Sequence, residues 1–481
     1  MTAIATDAMK FRFADLFFNE IKNATDSSHY YIGIGKGDQY DSADDTTVNP
    51  SRVRRDEREA RYNLESIIKV AENNMTYTAP RVNWISGTVY SAYNDNQVGY
   101  PTNPFYVLTE DQQVYICLSN NRNSSNTIQP STVKPSYSAA GTGIHKTFKT
   151  ADGYVWKFLY ELTVAKIANF LSSGWLPVGM FDSSTASVSA ENDQAAIRKT
   201  AKPGQITGIE IIDAGEGYSS APTLTIVGDG TAASGTVTLN GNAVGKIDMN
   251  NVVADSGMGS GYKFARATLT GGGTPTRPAV LRPILTPVEG IGFDPRQDLK
   301  SSSMMFNAKP YGVNNNTFSV TTTGTFGGQS DFRQITLLRN LDYVDSAATA
   351  VRVEVAAARV SKVARLTSKP AFVKDEKITG ASSGTIGHVD HIDSNGSGKL
   401  QLHYHFNYRS DFKHGNFTTN EVVQGGTSGV SGTVDSDLYL KQSTSLGAID
   451  KYSGEVLYID NRARIVRDEN QTEDIKIILT V

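Results

Sequence analysis

One segment of this chain occurs twice. EKITGASSGTIGHVD (376–390) returns as EVVQGGTSGVSGTVD (421–435), with Glu376/Glu421, Gly380/Gly425, Ser383/Ser428, Gly384/Gly429, Gly387/Gly432, Val389/Val434 and Asp390/Asp435 in step. Glycine at this density works against a helix, because each one surrenders more backbone entropy than any other residue. Glycines spaced between short apolar runs supply positive-φ turns or bulges instead. This stretch is therefore expected to be a β-module with an internal repeat.

A second, looser repeat lies upstream. Gly215-Glu-Gly217-Tyr218 followed by Thr223-Leu224 recurs as Gly259-Ser-Gly261-Tyr262 followed by Thr268-Leu269, and no helical period occurs from 204 to 275. Two Gly-rich β-modules inserted into a host domain are the simplest reading, and the 43 glycines and 22 tyrosines of the 481 residues fit turn-rich β-structure. The expected organisation is a host domain over 1–200, a first insertion over 201–285, host again over 286–365, a second insertion over 366–440 and closing host strands over 441–481. The stretch PTRPAVLRPILTP (275–287) reads as the return linker from the first insertion. The expected fold class is mainly β: a β-sandwich-like host with a few N-terminal helices, carrying both insertions.

The helices are expected early. Residues 9–24 place Phe13, Phe17, Ile21 and Ala24 on one stripe behind Thr6 and Asp7 as caps, and residues 53–72 place Ala60, Leu64, Ile67, Ile68 and Ala71 on one face. Glu57 and Arg61 form an i,i+4 pair expected on the solvated side of that second helix. Beyond residue 80 the period becomes that of strands. FYVLTEDQQVYICL (105–118) reads as a hairpin around Glu110-Asp111. In ADGYVWKFLYEL (151–162) an Asp152-Gly153 turn precedes Trp156, Phe158, Tyr160 and Leu162 on one side and Lys157 and Glu161 on the other. These aromatics suit a half-buried sheet face better than a sugar-stacking platform.

Charge narrows the possible partners. With 46 basic and 49 acidic residues the formal charge is −3, which gives no electrostatic footprint for nucleic acid or an anionic membrane. No apolar run is long enough to span a bilayer, and MTAIATDAMKFRF is not expected to be a secretory leader. The single cysteine, Cys117 in VYICL, has no internal disulfide partner and is expected to be a buried hydrophobe in a chain folded in a reducing cytoplasm.

Four patterns imitate chemistry. Gly380-Ala381-Ser382-Ser383-Gly384 matches a nucleophile elbow, but no helix follows and the second copy has Thr427 where the nucleophile would stand. His388, His391, His403, His405 and His414 cluster in sequence, and His403 and His405 share one face of a strand. Neither a cysteine pair nor a zinc-protease helix motif supports them. Gly33-Ile-Gly35-Lys-Gly37-Asp38 lacks both the third glycine of a dinucleotide loop and the Lys-Ser/Thr of a P-loop. The terminal GEVLYIDNRARIVRDENQTEDIKIILTV crowds acids together, but Asp460, Arg462, Arg464, Arg467, Asp468 and Glu469 interleave opposite signs. Such sets fix register and partner choice at a contact, and arginines between acids oppose the raised pKa that a general acid needs. Ile475, Ile477 and Leu479 on one face make the end a closing strand. The expectation is therefore of no enzyme, no catalytic, cofactor-binding or metal residues, and no cofactor.

Taken in order, SSHYYIGIGKGDQYD, a charged helix, MTYTAPRVNWISGTVYSAYND, NPFYVLTEDQQVYICLSNN, STVKP, FKTADGYVWKFLYEL, GFDPRQDL, SDFRQITLLRN and SGEVLYIDNRARIVRDENQTEDIKIIL form a series. It resembles the baseplate wedge subunit of contractile-tailed, T-even type bacteriophages, the gene product eight family. The match is spread over most of 25–180, 285–345 and 445–481. VNWISGTVYSAYND, TADGYVWKF and GEVLYIDNR together are its most specific part, and the two Gly-rich insertions depart from the shorter family pattern. The resemblance implies a mostly-β, non-enzymatic structural protein of the virion tail baseplate, assembled in the bacterial host cytoplasm. It also implies a homodimer contacting wedge proteins that resemble gene products six, seven and ten, with no nucleic acid and no membrane. The other reading from sequence is a tail-associated receptor- or glycan-binding protein, or a depolymerase, motivated by the Gly- and Tyr-rich insertions.

Overall fold

The computed structural model describes residues 6–22, 28–36, 53–136, 147–179, 189–250, 257–309, 332–343, 351–354, 357–360, 362–373, 376–394, 400–405, 417–437, 449–465 and 474–480. The fold is mainly β, built from antiparallel sheets with few helices. The chain divides into two compact units. One comprises residues 1–16, 76–305 and 478–481, the other 17–75 and 306–477. Segments expected as a single host domain thus fall in both, and each unit carries one Gly-rich module.

In the first unit an antiparallel sheet runs in the order Tyr106–Leu108, Gln113–Ser119, Val155–Glu161, Thr147–Lys149. The hairpin at Glu110-Asp111 is present, pairing Tyr106 with Ile116 and Leu108 with Val114. Strand Val155–Glu161 differs from the expected one-sided pattern: both of its faces are covered, and even Lys157 is 2% exposed. A helix not expected from sequence, Ser189–Thr200, supplies Ile197 to the core that covers Tyr154, Trp156 and Phe158.

The first module spans Ile206–Asp213 to Val280–Leu285, and it is a duplicated unit. Its hairpin pair Gly235–Asn240/Ala243–Met249 corresponds to the pair Val280–Leu285/Ile206–Asp213. Thr223–Gly228 meets Ala265–Thr270 with Leu224 opposite Leu269, so the two copies face each other across a pseudo-two-fold. The four GxGY glycines all have positive φ (Gly215 66°, Gly217 89°, Gly259 62°, Gly261 81°), as the repeat implied. Part of the Pro-rich stretch is not a linker. Val280–Leu285 is a strand, and its pairing with Ile206–Asp213 closes the module.

In the second unit a five-stranded antiparallel sheet runs Ala357–Arg359, Leu64–Lys69, Tyr30–Gly35, Phe332–Arg339, Glu455–Ile465. The second expected helix is shorter than its periodicity suggested, Val53–Tyr62, and gives way to strand Leu64–Lys69. Ile67 and Ile68 are β-branched and fit a pleated sheet, so tertiary pairing of Ile68 with Ile32 overrides a spacing that both structures share. In the first helix, Asp7–Lys22, Thr6 caps the N-terminus by accepting from the Met9 amide. Of the expected stripe, Phe17 packs edge-on against Tyr30, Phe13 is 47% exposed and Ala24 lies outside the described residues. Among the described residues no helix is long and apolar enough to cross a membrane.

The second module is a closed six-stranded barrel in the order Lys362–Leu366, Leu400–His405, Ile386–Ser394, Lys377–Gly380, Val422–Gly425, Ser431–Asp437. Closure leaves the sheet no edge. Its core holds Leu366, Phe372, Ile378, Val389, Leu402, Tyr404, Phe417, Val423 and Val434.

Candidate functional site

The repeated motif builds a polar site of paired carboxylates and turns. Ile378 pairs with Gly425, Thr379 with Gln424 and Gly380 with Val423, so the pseudo-two-fold passes between Thr379 and its own counterpart, Gln424. The axis brings each copy's glutamate to the other copy's turn. Glu376 accepts from the Thr427 amide (3.0 Å), the Ser428 amide (2.9 Å) and the Ser428 hydroxyl (2.8 Å). Glu421 accepts from the Ser382 amide (3.0 Å), the Ser383 amide (2.8 Å) and the Ser383 hydroxyl (2.9 Å). Each carboxylate also takes one nearby amide, Val373 at 2.6 Å for Glu376 and Thr418 at 2.5 Å for Glu421.

The glycines follow from this arrangement. A Cβ at Gly425 would lie 2.6 Å from Glu376 Oε2, and one at Gly380 would lie 2.8 Å from Glu421 Oε2. Gly384 and Gly429 turn with φ of 66° and 69°. Each glutamate is 4% exposed. Burial raises both pKa values, but hydrogen bonds from backbone amides and serine hydroxyls outweigh it and hold both carboxyls below the usual range. These acids are fixed as anions that clamp turns. They have neither the raised pKa of a general acid nor a free oxygen facing a cleft.

The duplication is wider than the motif. Phe372 and Phe417 occupy equivalent core positions, as do Leu366 and Tyr404, whose side chains close on Gly432 and Gly387 respectively. Phe372 and Phe417 keep the 45-residue step, so extending the alignment upstream was the available signal. Leu366 and Tyr404 share no residue type, and only the barrel reveals them.

The other candidates resolve separately. The elbow-like Ser382 donates its amide to Glu421 and is followed by strand Ile386–Ser394, not a helix. Backbone register sets His388 opposite His405 and His391 opposite His403. The side chains of His391, His403 and His405, and all of His414, lie outside the described residues. Among the described residues no cluster of His, Cys, Asp or Glu is placed to hold a metal. Gly33 and Gly35 belong to a central strand, where a Cβ on Gly35 would stand 2.0 Å from the Asn63 carbonyl oxygen; Gly37 and Asp38 lie outside the described residues. Cys117 is fully buried, and burial pushes its thiol pKa up. Trp156 is fully buried, as a core aromatic should be.

At the C-terminal segment, Asp460 pairs with Arg462 and Glu455 with Arg339. Ile475 and Ile477 are buried on strand Ile475–Thr480. Arg467, Asp468 and Glu469 lie outside the described residues. The pair Glu57–Arg61 requires a correction. Arg61 is 6% exposed and not on a solvated face. Its guanidinium grips Glu57 (2.9 Å) and donates to the carbonyls of Lys451 (3.1 Å), Ser453 (2.5 Å) and Gly454 (2.8 Å), pinning the turn that leads into strand Glu455–Ile465.

The segments that carry the resemblance also meet. Asp152, in the TADGYVWKF segment, accepts from the Ser131 hydroxyl (2.9 Å) and the amides of Thr132 (2.7 Å) and Val133 (2.9 Å), all within STVKP. Tyr90, from the VNWISGTVYSAYND segment, packs edge-on against Trp156, and its amide donates to the Tyr154 hydroxyl. Compared with known proteins, the chain matches no family model and no curated protein.

Proposed function

We propose that this chain is a structural component of a phage tail baseplate wedge, acting through protein–protein contacts as a homodimer that links neighbouring wedge subunits. The observation that carries this reading is the ordered series of motif segments, of which STVKP, TADGYVWKF and VNWISGTVYSAYND converge on one aromatic core around Asp152, Tyr90 and Trp156. Residues so committed to packing are consistent with a scaffold. The polar groups that imitate chemistry support the same view, since Glu376, Glu421 and Arg61 each hold a turn closed. Its partners are a second copy of itself and wedge proteins resembling gene products six, seven and ten, and its place is the virion tail baseplate after assembly in the bacterial host cytoplasm. The first module lends the glycan-binding or depolymerase reading no exposed tyrosine at its GxGY turns, since Tyr218 and Tyr262 are 5% and 6% exposed; Tyr408 and Tyr439 of the second insertion lie outside the described residues.

Sedimentation of the purified full chain, alone and mixed with the wedge proteins, tests the proposal. A dimer that enters a larger complex is expected. A monomer that ignores every wedge protein would contradict it.

A further inference from the structure

Of the seven histidines in this chain, four fall on two neighbouring strands of the barrel: His388 and His391 on Ile386–Ser394, His403 and His405 on Leu400–His405. Register sets them in two cross-strand pairs, His388 opposite His405 and His391 opposite His403. All four share one face. Val389 lies opposite Tyr404 and Ile392 opposite Leu402, and these residues pack in or against the barrel core. The histidine pairs alternate with them and so occupy the outer face.

A bulge makes this arrangement. His388 and His391 are three residues apart, a step that puts two residues of a regular strand on opposite faces. The pairing shifts between Val389 and His391, and the extra residue, Asp390, returns His391 to the face of His388. His403 and His405 are two apart and need no such device. The result is a two-by-two array whose directly opposite members have Cβ atoms roughly 4.5–5.5 Å apart, close enough for imidazoles to converge on one ion. The placement is one of backbone register; of the four side chains only that of His388, half-buried, is described.

The donor set identifies the ion. The flanking strands bring Lys377 opposite His388 and Val363 opposite His403, and Asp393 is the next residue along the face from His391. A set dominated by imidazole suits zinc and its transition-metal neighbours, not magnesium or calcium, which take oxygen ligands. Four imidazoles fill a tetrahedral shell and leave no open position for chemistry, the pattern of a structural site.

We propose that His388, His391, His403 and His405 form a structural zinc site that ties the two strands together on the outside of the barrel. It is independent of the wedge assignment and of the Glu376 and Glu421 clamps.

The test is calorimetric titration of zinc chloride into the untagged full chain after chelator treatment, with magnesium chloride as the oxygen-seeking comparator. Zinc is expected to bind at one ion per chain with a dissociation constant of about 1 µM or tighter, and to raise the melting temperature. His391→Gln and His403→Gln should each weaken it about tenfold or more while the metal-free melting temperature holds. Loaded with cobalt(II) instead, the wild-type chain should show the strong visible absorption of a four-coordinate ion, a readout that needs no variant. The proposal is overturned if zinc does not bind at about 100 µM, if both variants bind it as the wild type does, if magnesium competes equally, or if the cobalt spectrum is that of a six-coordinate ion. Binding is read on the isolated chain, so the result is separate from that of the wedge-assembly experiment.

Discussion

Glu376 and Glu421 each protect a turn 51 or 52 residues away by bonds to Thr427 and Ser428, or 38 or 39 away by bonds to Ser383 and Ser382. This gives a directional prediction. Glu376→Gln removes the charge from bonds that are stronger for having it, and should destabilise the barrel by about 1.5–3 kcal/mol. Hydrogen exchange should rise at the amides of Thr427 and Ser428 and stay low at Ser382 and Ser383. Increased exchange at its own copy's turn would show the clamp to be local. Both glutamates have folded-state pKa values below the ordinary 4.5, so the stability they confer is complete above that value. It is lost as pH falls through the lower folded-state values. The barrel's melting temperature should therefore drop on acidification below about pH 4.5, and the drop should be smaller in the double glutamine variant. Arg61→Ala strands three carbonyls and should cost about 2–4 kcal/mol in a urea melt. Sequence made the repeated residues visible because identities at a fixed step need no structure to be seen. What Glu376 does was not legible, since its partner follows from the pairing of Thr379 with Gln424.

Element boundaries depend on the same pairings. The repeat alone suggests that residues 376–435 are removable, but the barrel also needs Lys362–Leu366 and pairs it with both Leu400–His405 and Ser431–Asp437. Deleting 376–435 should leave Leu366 uncovered and the product prone to aggregation. Replacing 362–437 with a short flexible linker should preserve a cooperative melt of what remains. Equal behaviour of the two deletions in a melting experiment would show the barrel boundary to be wrong. The misread helix has a physical cause. Leu64, Ile67 and Ile68 satisfy helical spacing, and only neighbours distant in sequence, Ile32 to Gly35, select the strand. Gly35 was readable as a turn glycine but not as a packing glycine, because the Asn63 carbonyl that excludes a side chain there becomes visible only once that strand is paired. Gly35→Ala should accordingly abolish soluble expression, whereas Gly241→Ala, in open space but at φ 63°, should cost only about 1 kcal/mol.

For the whole molecule, two compact units each carry a module made by doubling a smaller β-unit. The mainly-β class was legible because glycine spacing and strand alternation are local signals. The division into two units was not, because residues 17–75 join 306–477 through pairings such as Ile32 with Leu337. Buried glutamates and an arginine that clamp turns on a packed β scaffold suit the proposed role, in which the protein works by static contact. Gold labelling of intact virions with an antibody to this chain, viewed by electron microscopy, tests it most directly. Label ringed at the base of the tail is the expected result; label at fibre tips, or on no particle, would contradict the baseplate proposal.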